Sequence, residues 1–322
     1  MLAIRISANG GPEALTPTDI PTPSPGPGEI LIRHGACGLN YIDIYQRSGL
    51  YPMPLPATLG LEGAGVVIAV GEGVDRFKIG DRAAYCSTLG GYAEFNVVKA
   101  DRAVRVPKTI SDDVAAAVML KGLTAEFLAR RIWPLVAGDT VLVHAAAGGV
   151  GLILCQWLNH LGIRVIGAVG SAEKMSLALD HGCAEAINYR EEDVAARVRS
   201  LTGGAGVPVV YDSVGAATFD ASLASLRRRG LLISFGNASG PVPAIAPLRL
   251  SQGGSLFLTR PTLFDYIPDT QSLDDAADAL FSVITEGAVK VLIAQRFALA
   301  DAAKSHIALS ARETVGATIL IP

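Results

Sequence analysis

The sequence predicts an α/β protein of two domains, one a doubly wound parallel sheet and the other largely β. Three observations predict it. Residues 138–260 alternate short apolar strand-like runs with helical runs, and each helical run closes on a glycine; this alternation is the pattern of a parallel sheet covered by helices on both faces. Residues 1–110 are instead rich in Gly and Pro and carry only short β-like runs. A glycine-rich turn sits where the first strand of the alternating stretch meets its first helix, the place where open α/β sheets bind nucleotides.

Composition bounds the rest. A chain of 322 residues suits about two domains. Half of its residues are hydrophobic and 18% are charged, so it can bury a sizeable core. The formal charge of −3 contains no long block of one sign, which argues against broad electrostatic binding to nucleic acid or an anionic membrane. Met1–Ile6, interrupted by Arg5, reads as a first strand and lacks the layout of a secretion signal. No apolar stretch reaches the ~18 residues of a membrane span. Cys37, Cys86, Cys155 and Cys183 form no Cys-x-x-Cys pair, and reduced thiols in a cytoplasmic protein are expected.

In chain order, the β-like runs of the first stretch are Glu29–Arg33, Gly65–Val70, Arg82–Tyr85 and Tyr92–Val98. The tract Pro21–Gly28 reads as an exposed connector between strands. In the alternating stretch, strands are expected at Thr140–His144, Arg164–Val169, Ala184–Asn188, Val207–Asp212 and Leu231–Phe235. Helices are expected at Val150–Leu161, Glu173–His181, Glu191–Leu201 and Ala216–Arg229, ended by Gly162, Gly182, Gly203 and Gly230. The triplet Arg227-Arg228-Arg229 then opposes the negative end of a helix dipole; without interleaved aromatics it makes a poor nucleic-acid site. Ser272 is expected to cap a last helix whose face is Leu273, Ala276, Ala277, Leu280 and Ile284. Thr318–Ile321 reads as a buried strand rejoining the first domain.

The strongest local signal is Val141–Gly151, in which Ala146, Gly148 and Gly151 stand at the three positions of Gly-x-Gly-x-x-Gly. Small residues there let a pyrophosphate approach the N–H groups at a helix N-terminus. A site for NAD usually ends the second strand in Asp or Glu, about 20 residues on. Here that strand ends Ala168-Val169-Gly170-Ser171, with Lys174 one turn into the next helix. A hydroxyl, a cation and a helix N-terminus suit a 2′-phosphate, so NADPH is the expected cofactor.

The segments Gly38–Asp43, Leu59–Gly65, Gly80–Arg82, Lys121–Ala125, the Ala-Ala-Gly-Gly-Val-Gly turn, Asn188–Asp193, Val210–Gly215 and Ser234–Asn237, taken in order over essentially the whole chain, resemble the medium-chain dehydrogenase/reductase superfamily. Within it they resemble the zeta-crystallin-like quinone oxidoreductase family. The resemblance implies a Rossmann domain over residues 123–267 and a GroES-like catalytic domain from residues 1–122 and 268–322. It implies a cofactor in the cleft between them and a homodimer, with Gly254–Leu258 as the edge strand pairing across it. Where zinc alcohol dehydrogenases of the superfamily hold Cys and His, this chain has Asn40 and Leu61. Asn is a poor zinc ligand and Leu is none. His34, His144, His160, His181 and His306 show no ligand spacing, so no metal is expected.

A pocket without metal suits acceptors that take hydride readily, such as quinones or activated alkenes, with the protein supplying proximity and exclusion of water. Asn40, Asp43, Tyr45, Tyr51 and Thr124 are the candidate groups around the reacting pair. Asn40 can hydrogen-bond an oxygen, and either tyrosine can stack on a flat ring or donate a proton. The resemblance adds Tyr189 and Arg312 to Lys174 and Ser171 around the 2′-phosphate. It adds Gly148, Gly149 and Val150 at the pyrophosphate, and Gly170 and Val214 beside the dinucleotide. It places Phe235, Gly236, Asn237, Thr259 and Arg260 near the nicotinamide, together with Asn40 and Thr124. Quinone reduction is the expected activity. Two alternatives stay open: alkenal or enone reduction, and a non-enzymatic NADPH-retaining role of the RNA-binding or crystallin kind.

Overall fold

The computed structural model describes residues 1–322. The chain divides into two compact units, one of Met1–Leu123, Ile267–Glu286 and Val291–Pro322, the other of Thr124–Tyr266 and Gly287–Lys290.

The first unit begins with eight strands: β1 (Leu2–Ile6), β2 (Thr16–Asp19), β3 (Glu29–Gly38), β4 (Ala57–Thr58), β5 (Gly63–Val70), β6 (Arg82–Tyr85), β7 (Phe95–Lys99) and β8 (Ala103–Arg105). Helix α1 (Tyr41–Ser48) follows β3, and helix α2 (Asp112–Arg130) follows β8. The order β2-β1-β4 makes a small antiparallel sheet. The long strand β3 is the spine of the larger sheet and pairs antiparallel with both β5 and β7. Its inward residues Ile30 and Ile32 pack with Val67, Phe77, Tyr85 and Val98, while Ile4, Ile6, Leu39, Leu59, Tyr92 and Leu320 form a second core. Each such fully buried aliphatic side chain contributes about 1.5–3 kcal/mol of transfer free energy. The tract Pro21–Gly28 is the connector between β2 and β3, and Gly28 turns it at φ +75°.

The second unit carries β9 (Thr140–His144), β10 (Arg164–Val169), β11 (Cys183–Asn188), β12 (Val207–Asp212), β13 (Leu226–Ser234) and β14 (Phe257–Thr259). Its helices are α3 (Gly149–His160), α4 (Ala172–Asp180), α5 (Val194–Leu201), α6 (Phe219–Ser225) and α7 (Leu248–Gln252). The six strands form one parallel sheet in the order β11-β10-β9-β12-β13-β14. The chain thus winds outward from β9 to one edge and then from β12 to the other. The winding reverses between β9 and β12, and ligands of such sheets bind at the strand ends beside that reversal. Helix α3 buries Gly151 through Leu158 without a break, as expected of a helix apolar on every side.

After α8 (Thr270–Thr285), the strands β15 (Ile293–Ala298) and β16 (Ala317–Ile321) flank helix α9 (Ala302–Ser310). Strand β16 pairs parallel with β15 and antiparallel with β3, so the tail belongs to the larger sheet of the first unit.

The structure departs from the sequence expectations in several places, beginning with the unexpected helix α2 and a β3 that runs on to Gly38. The helix expected over Ala216–Arg229 is only Phe219–Ser225, and Arg227–Arg229 lie in β13. The arginines therefore oppose no helix dipole. Leu226 pairs with Val207 as a strand residue, and the Arg199 guanidinium holds the carbonyls of Ala224 and Leu226 at 2.9 and 2.7 Å. Helix α8 is capped by Asp269, with Ser272 at its third position closing a reciprocal capping box. Helix α5 starts at Val194 because Asp193 caps it. The edge strand lies at Phe257–Thr259, a little beyond the expected Gly254–Leu258. Tyr92 stands outside β7, its carbonyl accepting from Ile4 N at 2.8 Å.

Candidate active site

In the second unit, the turn from β9 into α3 is built so that only small residues fit. Ala145 takes φ +52°, and Gly148 N donates to Ala145 O at 2.9 Å. A Cβ on Gly151 would lie 2.8 Å from the Ala146 carbonyl oxygen and closer still to that of Ala145. The third glycine is therefore required by the close approach of helix to turn. Gly148 is the extended N-cap of α3, so Gly149 and Val150 hold first-turn amides, which have no partner within a helix and suit an anion.

The neighbouring strand end carries the groups expected at a 2′-phosphate. Ser171 caps α4, its hydroxyl oxygen accepting from Lys174 N at 3.3 Å. Lys174 is half-buried. A Cβ on Gly170 would lie 2.7 Å from Cζ of Tyr189, so the tyrosine ring lies against a glycine that must stay bare. Sequence reasoning missed Glu173. Its carboxylate is held below the usual range by a hydrogen bond from the Ser171 hydroxyl and by its own backbone. The only signal for it was proximity, two residues after Ser171.

Two further loops are locked by polar anchors. Asp212, at the end of β12, accepts from Val214 N (2.8 Å), Gly215 N (3.1 Å), Thr218 (2.7 Å) and Ser222 (2.7 Å), which fixes the Val214 turn. Ser222 also meets His144 Nε2 at 3.0 Å. All three of these side chains are buried, and burial lowers the His144 pKa against the pull of Asp212; the set is a strut between strands. At the end of β13, Arg260 donates to the carbonyls of Ser234 (2.9 Å) and Gly236 (3.0 Å). With its amide turned so that donors meet acceptors, Asn237 donates to Gly236 O at 3.0 Å and accepts from Arg260 at 3.1 Å. Arg260 thereby holds Phe235, Gly236 and Asn237 in place, with Thr259 at the end of β14 one residue before it. Thr124 lies within α2.

In the first unit, Asn40 precedes α1 and is nearly buried, and Asp43 is fully buried. Asn40 Nδ2 donates to Glu62 Oε1 at 2.7 Å, a carboxylate oxygen that also meets Lys121 Nζ at 2.7 Å. Asp43 Oδ2 accepts from Asn40 N at 2.8 Å and from the Tyr92 hydroxyl at 2.7 Å. Burial raises the Asp43 pKa to about 7, against the opposing pull of those two hydrogen bonds. Asp43 is thus a buried cap of α1 and lines no open surface. Tyr45 stands between Tyr41 and Tyr51, with ring centroids 6.2 and 5.2 Å away. Arg312 follows α9 in the left-handed region at φ +60°. The structure therefore groups Asn40, Asp43, Tyr45 and Tyr51 around α1 in one unit and the turn residues in the other.

Two family models match the chain: an alcohol dehydrogenase GroES-like domain over residues 26–108 and a zinc-binding dehydrogenase over residues 149–281. The zinc in the second description does not fit the residues present. Leu61 offers no donor, and no group of three or more His, Cys, Asp or Glu is placed to hold a metal ion. The chain is 52% identical to a quinone oxidoreductase of Pseudomonas aeruginosa, covering 99% of both. It is 40% identical to a 2-haloacrylate reductase of a Burkholderia species, covering 100% of this chain and 99% of that one. The crystal structure of Escherichia coli quinone oxidoreductase complexed with NADPH matches with a TM-score of 0.99 at 46% identity, covering the whole of both chains. The chain belongs to the quinone oxidoreductase family of the medium-chain dehydrogenases/reductases.

Proposed function

We propose that this chain reduces quinones with NADPH. What carries the reading is full-length identity with quinone oxidoreductases combined with a β10 tip that offers Ser171 and Lys174 at a helix N-terminus. The residues fit the cofactor. A cradle that a Cβ at Gly151 would fill lies beside the first-turn amides of Gly149 and Val150. Ser171, Lys174, Tyr189 and Arg312 would hold the 2′-phosphate, and Val214, Phe235, Gly236, Asn237, Thr259, Arg260, Thr124 and Asn40 the rest of the dinucleotide. Bound NADPH supplies a hydride. The chain's own part is to hold the two reactants, exclude water and place a polar group at the substrate oxygen, a contribution of proximity and orientation. Tyr45 is buried in the core, so of the two rings it is the half-buried Tyr51, packed on Tyr45 at 5.2 Å between centroids, on which a flat acceptor would stack.

Two further features, one of assembly and one of compartment, go with this reading. The short edge strand β14 exposes Phe257 (47%) and Leu258 (37%), which suits pairing with the same strand of a second copy. Four free, buried cysteines suit the reducing cytoplasm.

Steady-state turnover of NADPH against a quinone panel and an enone panel tests the activity. Faster turnover of quinones is expected. Preference for enones would move the substrate class toward the double bond of the haloacrylate-reducing relative, and tight binding without turnover on either panel would sink the enzymatic reading. The charge reversal Lys174→Glu is expected to weaken NADPH by about 30-fold, the effect of roughly 2 kcal/mol at a half-buried charge, and to leave NADH nearly unchanged. Equal loss of both cofactors would overturn the phosphate assignment.

A further inference from the structure

The buried carboxylate of Glu62 has no part in the readings above, yet three donors converge on it. Asn40 Nδ2 and Lys121 Nζ both reach Oε1 at 2.7 Å, and Leu120 N reaches Oε2 at 2.6 Å. Glu62 is wholly buried, and Asn40 and Lys121 are 7% and 6% exposed. Gly38 leaves room for the cluster, since a Cβ there would strike Glu62 and the Ala116 carbonyl. A lysine is donor-only and a carboxylate acceptor-only. Glu62 flanked by Lys121 can therefore only accept from Asn40, and Asn40 must turn its nitrogen toward it. The amide orientation is thus dictated by charge, with the carbonyl oxygen Oδ1 and the second N–H left in assigned places.

We propose that Lys121 and Glu62 are positioning residues that set which face of Asn40 is offered to the reacting pair. This rests on the reading of Asn40 as a group at the active site. Without Lys121, a carboxyl buried with no counter-ion takes up a proton. The backbone N–H of Leu120 cannot reverse and keeps Oε2 the acceptor, so the hydroxyl falls on Oε1 as a donor facing the Asn40 N–H, and the amide reverses to relieve the conflict. Lys121 acts on Asn40 through the charge of the Glu62 oxygen to which both donate, which separates it from a residue that merely packs.

The test is a double-mutant cycle. Lys121→Met is expected to lower kcat for quinone reduction about tenfold, with the KM for NADPH changed less than twofold. In an Asn40→Ala background the same change should cost less than twofold, because its target is gone. Breaking a buried pair also destabilises, so the paired variant Lys121→Met/Glu62→Gln, which removes both charges, is made as well. The amide introduced at position 62 then accepts from Leu120 N and turns its own N–H2 toward Asn40, so a folded protein with the same loss of kcat is expected. Independently of activity, NMR of the cofactor-free protein with labelled asparagine should show the Asn40 side-chain amide as two slowly exchanging protons, one of which loses protection in Lys121→Met. Wild-type kcat in the folded paired variant, additive losses in the cycle, unchanged amide exchange, or loss of the fold in both variants would each overturn the proposal. An Asn40→Ala variant with wild-type kcat would instead remove the reading of Asn40 on which it rests.

Discussion

At the scale of single residues, hydrogen-bond direction can be read from the chemistry of the donors. Arg47 is nearly buried, and its NH1 lies 3.0 Å from His306 Nδ1. Arginine only donates, so Nδ1 accepts and the ring proton sits on Nε2. That nitrogen donates to the Tyr92 hydroxyl (3.1 Å), which donates in turn to Asp43 Oδ2 (2.7 Å). The chain Arg47, His306, Tyr92, Asp43 therefore runs one way and ends on the carboxyl that also accepts from Asn40 N. It joins segments more than 200 positions apart, which is why no local pattern announced it; Asp43 was legible only as a polar residue near Asn40. Replacing Tyr92 by Phe removes one donor from Asp43 and leaves the buried His306 N–H without its acceptor. A loss of about 1–3 kcal/mol in stability is expected, read as a lowered midpoint in urea unfolding. An unchanged midpoint would show that the chain is not held in this direction.

Elements succeed or fail as sequence readings according to where their stabilisation lies. Strands β6, β9, β10 and β12 have the limits the sequence predicts, because each is a compact run bounded by residues that stop it. The turn after β9 was equally legible, since its small residues answer a local steric demand. Gly151→Ala tests that demand. The added methyl would meet two carbonyl oxygens of the preceding turn, and overpacking against backbone costs about 1–3 kcal/mol. NADPH affinity is expected to fall at least tenfold while the first unit keeps its stability; retained affinity would show that the turn has room to spare. Helix α2 escaped because its apolar residues spread around all sides and give no period. Strand β13 was misread because Phe219 through Leu226 has helical composition up to the arginines. Its course is settled by pairing with β12 and by Arg199, from α5, neither visible in a local window. The Glu62–Lys121 pair was hidden for the same reason, its partners lying 59 positions apart.

For the molecule as a whole, buried histidines govern how stability depends on pH. Burial lowers His34 to about 4 and His306 to about 3, and holds His144 below its usual value. A histidine lowered in the folded state takes up its proton first in the unfolded chain, so acidification from about 6.5 favours unfolding, through about 4 for His34 and about 3 for His306. Asp43 works in the opposite sense. Its carboxyl, raised to about 7 by burial, is protonated in the folded state before the unfolded one, so it adds stability as pH falls from about 7 toward about 4. Glu126 is raised by burial too and acts in the same sense as Asp43, but the three lowered histidines outnumber these two carboxyls and leave a net loss of stability on acidification. His34 is the cleanest residue on which to check the sign, because its partners define its role without charge. Ala93 O accepts from Nδ1 at 2.7 Å, and the Tyr85 hydroxyl, itself accepting from Asn96, donates to Nε2 at 3.1 Å. A glutamine is of similar size, offers a donor and an acceptor of its own, and cannot titrate. His34→Gln should therefore flatten the slope of unfolding free energy between about pH 6.5 and 4.5 by up to one proton, about 1.4 kcal/mol per pH unit, while stability at about pH 8 changes little. A slope identical to wild type would mean that His34 is protonated in the folded state, which its carbonyl and hydroxyl partners and its full burial oppose.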